Sequence, residues 1–180
     1  MEKKWIVRIV GSLFLSLGLG SIASANQTHL DMGASLYSQS NSTLLSKTGY
    51  FMNFQVEKDG KWFRPTFGGQ LELNSGANSL VFGHMLAGFQ MAPSEAKVIR
   101  PYIGAQALLG WANFSMAEAA YIGLVYGGEL SVGAEIRFSK KSTGTALRVS
   151  SQYRYTQGSI GGGLSGSDLS AVQIALGILF

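Results

Sequence analysis

The stretch LSAVQIALGILF, residues 169–180, decides how the rest of the sequence is read. Val172, Ile174, Leu176, Ile178 and Phe180 share one side of an extended strand, because strand side chains alternate between faces. That side is uniformly large and apolar. Such a strand needs its edges paired and its apolar face covered, and it cannot supply either from within itself.

At the other end, Lys3, Lys4 and Arg8 precede an apolar run from Ile9 to about Ile22, and Ala23-Ser24-Ala25 supplies a small-x-small cleavage site. Residues 1–25 therefore read as a cleaved signal peptide, and residues 26–180 as one folded domain. There is no cysteine, so an exported domain gains nothing from disulfides and must rely on packing and backbone pairing. Charged residues make up 13% of the sequence, against about 25% in soluble domains. Too few are present to coat a water-facing surface. The formal net charge of +4 falls when three bases and one acid leave with the leader, and no basic cluster is interleaved with aromatics, which gives no reason to expect a nucleic-acid partner.

Period-two alternation then recurs along the whole domain. The expected strands are roughly His29–Ser38, Thr48–Glu57, Trp62–Leu73, Leu80–Met91, Val98–Leu109, a stretch within Tyr121–Phe138, Thr145–Tyr155 and Leu169–Phe180. Phe82 and Leu86 blur the polar side of the fourth, and the sixth is clean only from Glu129 onward. Links at 58–61, 92–97 and 139–144 are short, as is 74–79, whereas 39–47, 110–120 and 156–168 read as longer loops. An all-β fold is expected: an eight-stranded antiparallel up-and-down transmembrane β-barrel with tight turns at one end.

Period alone does not say which face is outside, since a soluble barrel around an apolar cavity has the same alternation inverted. Charge sorting does. The polar face carries Asp31, Glu57, Glu72, Glu129 and Glu135 together with Arg64, Arg100, Arg137, Arg148 and Arg154, while Lys47, Lys58, Lys61, Lys97, Lys140 and Lys141 all fall in turns or loops. The planar guanidinium suits enclosed, multiply hydrogen-bonded pairs, and the strongly hydrated ammonium does not. These ten residues are expected to form a paired charge network in the lumen. Trp62, Phe63, Trp111, Phe138, Tyr155 and Phe180 lie toward strand ends, where aromatic girdles meet a membrane interface.

With its leader, its eight amphipathic strands and its terminal LGILF, the chain resembles the small eight-stranded outer-membrane barrels of the OmpA/OmpX type from Gram-negative bacteria. The resemblance covers essentially all of the domain. It implies location in the cell outer membrane, contact with outer-membrane lipid and lipopolysaccharide, and recognition of Ile174, Leu176, Ile178 and Phe180 by the barrel-assembly machinery.

Catalytic chemistry finds little support. His29, Asp31 and Ser35 share the inner face of the first strand, but that series spans about 20 Å, too far for direct proton relay. His84 points into the same interior, where Glu129 or Glu135 could approach it. Two histidines and no cysteine give no transition-metal set, and no cofactor is expected. The glycine-rich segment 158–166 lacks the Lys-Ser/Thr of a phosphate cradle and reads as a loop. The expected function is non-enzymatic: a membrane-anchored barrel with a salt-bridged lumen whose loops serve envelope integrity or surface contact with a partner the sequence does not name. A narrow solute or ion channel is the alternative, and a lipid-A-modifying enzyme a third.

Overall fold

The computed structural model describes residues 27–37, 46–58, 62–76, 78–92, 98–117, 119–138, 144–160 and 165–180. The leader assigned to residues 1–25 lies outside them, as does most of the loop at 39–47. Among the described residues nine strands form in chain order: β1 (Gln27–Tyr37), β2 (Thr48–Glu57), β3 (Phe63–Ser75), β4 (Ser79–Met91), β5 (Ile99–Met116), β6 (Ala119–Arg137), β7 (Ala146–Ser159), β8 (Ser165–Asp168) and β9 (Ala171–Leu179). Each of β1 to β6 pairs with the next, β6 pairs with β7, and β9 joins β7 to β1, so eight antiparallel strands close on themselves. The short β8 adds only to the far end of β7, through Gln157↔Asp168 and Ser159↔Ser165.

Both edges of β9 are paired, which resolves the demand posed by residues 169–180. The circuit of paired residues from Tyr37 runs through Ala171, Arg154, Glu129, Gln106, Gly88, Thr66 and Glu57 and returns to β1 at Gln27. The register therefore slips from residue 37 to residue 27 in one turn, and that stagger tilts eight strands by about 40° to the axis.

Side chains sort by face as the alternation requires. Leu30, Met32, Met52, Phe54, Leu71, Ile103, Leu130, Val132, Ile174, Leu176 and Ile178 are exposed on the outside, while the charged residues of β1 to β7 are buried within. The eleven residues of β3 from Phe63 to Leu73, ten steps of ~3.4 Å each along a tilted strand, rise about 25 Å, the height of an apolar membrane band. Trp62, Phe63, Phe138 and Phe180 ring the end that holds Gln27 and Leu179. Tyr50, Trp111, Tyr126 and Tyr155 lie toward the other end, and all eight are exposed.

One expected loop is instead sheet. β5 runs on to Met116 and β6 starts at Ala119, so most of the expected loop is a long hairpin with Ala112 opposite Gly123 and Phe114 opposite Tyr121. The strands here turn Ala112, Phe114 and Val125 inward, so apolar residues occupy the side that is polar lower down. The period persists while its polarity inverts. The same inversion explains the fourth strand: Leu80, Phe82 and Leu86 all point into the lumen. The loop expected at 156–168 is also partly strand, since β7 runs to Ser159 and β8 follows.

Candidate functional site

At the end of the barrel that holds Gln27, the lumen is organised on Glu57 and Glu135. Arg64, held by β3, donates to Glu57 on the adjacent strand and reaches across the barrel to Glu135 at 2.8 Å. Arg137 donates to the other oxygen of Glu135 at 3.1 Å, and Arg100 lies 3.8 Å from it. Three guanidinium groups thus share one fully buried carboxylate. Beside them, His29 contacts Asp31 at 3.3 Å, and Arg148 lies 3.8 Å from the same carboxylate while its guanidinium covers the Tyr102 ring at 4.2 Å. Room for these groups comes from glycine in the wall. A Cβ on Gly177 would overlap the Asp31 carboxylate, and one on Gly133 would meet the Tyr102 hydroxyl.

A layer of carboxamides follows: Gln55 and Gln106 exchange hydrogen bonds at 3.1 and 2.8 Å, and Gln106 also donates to Thr66 at 3.0 Å. Higher still, Glu72 accepts from Arg154, Tyr37, Gln173 and Gln70. Above that pair the character changes. Leu80, Phe82, Ala112, Phe114, Val125, Ile160 and Leu169 pack into a buried apolar cluster, with Tyr37, Met116 and Tyr121 against it. The lumen is therefore charged below and closed by hydrocarbon at the loop end.

All ten residues of the expected charge network are inside. Nine of them lie within ion-pair distance of an opposite charge. The expectation of complete pairing fails at Glu129. Its cross-strand neighbour Arg154 turns to Glu72 instead, and among the described residues Glu129 forms no ion pair and its Oε2 has no hydrogen-bond partner. His84 does not meet Glu129 or Glu135 either: it stacks on Phe82, centroids 5.3 Å apart, and neither ring nitrogen finds a partner. The apolar cap itself was not among the expected site residues, although alternation with apolar groups on the inner side at 112–125 carries its signal.

The possible catalytic set is not assembled. His29 and Asp31 are in contact, but Ser35 is bonded to Gln173 at 2.9 Å, six positions along the strand from His29. Among the described residues no group of His, Asp and Glu is arranged to hold a metal ion. Ile174, Leu176, Ile178 and Phe180 line the outer face of the closing strand and its end.

No family model and no curated protein matches the sequence. Solved structures do. The crystal structure of Neisserial surface protein A aligns with a TM-score of 0.66 at 12% identity, covering 86% of this chain and 96% of that one. The N-terminal β-barrel domain of Pseudomonas aeruginosa OprF aligns with a TM-score of 0.51 at 9% identity, covering 87% and 97%. This chain has the fold of an eight-stranded outer-membrane barrel. The outer-membrane enzyme PagL is also similar, at a TM-score of 0.42, 16% identity and coverage of 86% and 98%, too distant to carry an inference about chemistry. What places the barrel in the outer membrane is this fold together with its own exterior, a band of exposed hydrocarbon side chains around buried arginines.

Proposed function

We propose that this protein is a non-enzymatic integral barrel of the outer membrane, a rigid anchor that holds its loop-end segments outward for envelope integrity or surface contact. The apolar cap carries this reading. An ion entering the charged half of the lumen would have to pass Phe82, Phe114 and Ile160, all fully buried, and shed its water among hydrocarbon groups. Beneath that cap the arginines are bound to carboxylates across the lumen, which makes them struts between strands instead of the lining of a conduit. Among the described residues His29 and Asp31 meet in the buried interior, with the barrel wall between them and lipid.

Closing the barrel requires β9 to join β7 and β1, and its outward column Ile174, Leu176, Ile178 and Phe180 is the segment offered to the assembly machinery. Planar-bilayer recording tests the reading: the refolded protein should give no unitary conductance, and lipid A from cells with and without the protein should have the same acyl content by mass spectrometry. Steady unitary steps would replace the anchor by a channel, and an altered acyl pattern would replace it by an enzyme.

A further inference from the structure

The outside of the barrel is not uniform. Across β4, β5 and β6 the outward positions Ala87, Ala107 and Gly128 fall in one row, through Ala87↔Ala107 and Ala107↔Gly128, with Ala105 in the row below. These small side chains are the floor of a groove of about 520 Å³, walled by Phe89, Leu130, Tyr153 and Tyr155. That volume is within the range of specific ligand sites, ~300–1,000 Å³. Small outward residues elsewhere stand singly between large ones, Ala34 between Tyr50 and Ile174 and Gly69 between Phe54 and Met85, so three in one row is a local feature of the sequence.

Its chemistry is graded along its length. From Phe89 upward the walls are aromatic and aliphatic. At its loop end Gln157 donates to the Tyr155 hydroxyl at 2.6 Å and accepts from the Tyr126 hydroxyl at 3.3 Å. Having accepted from Gln157, the Tyr155 hydroxyl keeps its own O–H to offer outward. The ligand implied is an amphiphile: a hydrocarbon chain along the floor and an ester, amide or hydroxyl oxygen at the tyrosines. The groove occupies the half of the band nearer the loops, and in an outer membrane that leaflet is built of lipid A.

The geometry points to a binding site for one acyl chain of lipid A, its chain seated over Ala87, Ala105, Ala107 and Gly128 and its first polar oxygen accepting from Tyr155. This rests on the placement of the barrel in the outer membrane and adds a specific lipid to it. Among the described residues no Lys or Arg lines the groove, so recognition is by the chain and its carbonyl or hydroxyl, not by the phosphates.

Filling the groove is structurally permissible. A Cβ on Gly128 meets nothing nearer than the Gln106 carbonyl at 3.4 Å, an ordinary contact, so Gly128→Leu and Ala107→Phe add hydrocarbon on the lipid side without touching the wall. Ala134→Leu, outward on β6 but away from the groove, is the control. The barrel purified in mild detergent is offered lipid A or phosphatidylethanolamine, and bound lipid is read by native mass spectrometry, with a heat-modifiability gel on each protein.

One lipid A should stay on the wild type and on Ala134→Leu. It should be lost from Gly128→Leu and Ala107→Phe, and weakened about tenfold by Tyr155→Phe, the ~1.4 kcal/mol of one hydrogen bond. Equal retention by the filled variants, no retention by the wild type, preference for phosphatidylethanolamine, or a dimer mass that the filled variants abolish would each overturn the assignment. A wild type whose mobility is unchanged by boiling would instead strike the outer-membrane reading beneath it.

Discussion

Around Glu135 the barrel gathers Arg64, Arg100 and Arg137 onto one carboxylate, whereas around Phe114 it packs Leu80, Phe82, Val125 and Ile160 into hydrocarbon contact. Both regions are buried, and both fill the same cylinder. They fail differently. A buried charge that loses its partner retains its desolvation cost, so the lower half is sensitive to the removal of a single group. An apolar cluster that loses a side chain loses contacts and gains a void, at a cost that depends on how far its neighbours relax. The lower half ties strands together across the lumen, and in the proposed function the upper half is the barrier to water and ions.

The largest effect is expected at the centre of the charged half. Glu135→Ala leaves three guanidinium groups facing one another and Glu57, and should lower the stability of the barrel in lipid by about 3–5 kcal/mol, read from urea unfolding followed by tryptophan fluorescence. A loss under about 1 kcal/mol would mean that these arginines are solvated and the network is not a strut.

In the cap, Phe114→Ala should cost about 3 kcal/mol by the same measurement. The sharper readout is conductance. Phe82→Ala combined with Phe114→Ala removes both aromatic rings from the closure, and unitary current should appear that the wild type lacks. No current from the double variant would place the barrier in the charged half and erase the distinction between the two.

On the outside, depth takes the place of charge. Leu176 sits in the middle of β9, paired with Met32 and Val149, and Leu176→Arg should cost about 2–4 kcal/mol in lipid. Ile136 is an outward residue at the rim, paired with Ile99 at the start of β5 and with Leu147 near the start of β7. Arginine there should cost about 0–1 kcal/mol. Equal costs at the two depths would contradict the placement of the band.

The charged half was legible in the sequence and the cap was not, and polarity explains why. On β3 the run Arg64, Thr66, Gln70, Glu72 alternates with Phe63, Phe67, Leu71, Leu73, so period and polarity agree and the inner face can be named. From Gly110 to Val125 the period continues with Trp111, Asn113 and Ser115 outward and Ala112 and Phe114 inward, so the polarity that marks a membrane strand reverses and the segment reads as a loop. A rule that seeks apolar groups outside is blind where the interior itself becomes apolar. Pairing partners in the lumen were equally hidden: Arg64 and Glu135 lie on strands separated by two others, and no local spacing brings them together. The outer groove depends on Ala87, Ala107 and Gly128 falling side by side, which is a matter of register across three strands.

The smallest effect should come from the acid that does not follow its neighbours. Glu129 is buried in the same lumen as Glu135, yet Arg154, directly across from it on β7, is engaged by Glu72. Its carboxylate gains only longer-range attraction from Arg154 and Arg148, and this has to offset the full cost of burial. Glu129→Gln keeps the shape and the acceptor oxygen while removing the need to bury a charge. The expected change is therefore within about 1 kcal/mol of zero, against several for Glu135→Ala. If Glu129→Gln destabilised the barrel as much as Glu135→Ala, the charged half would be held by the summed field of its ions and not by the contacts that distinguish one carboxylate from the other.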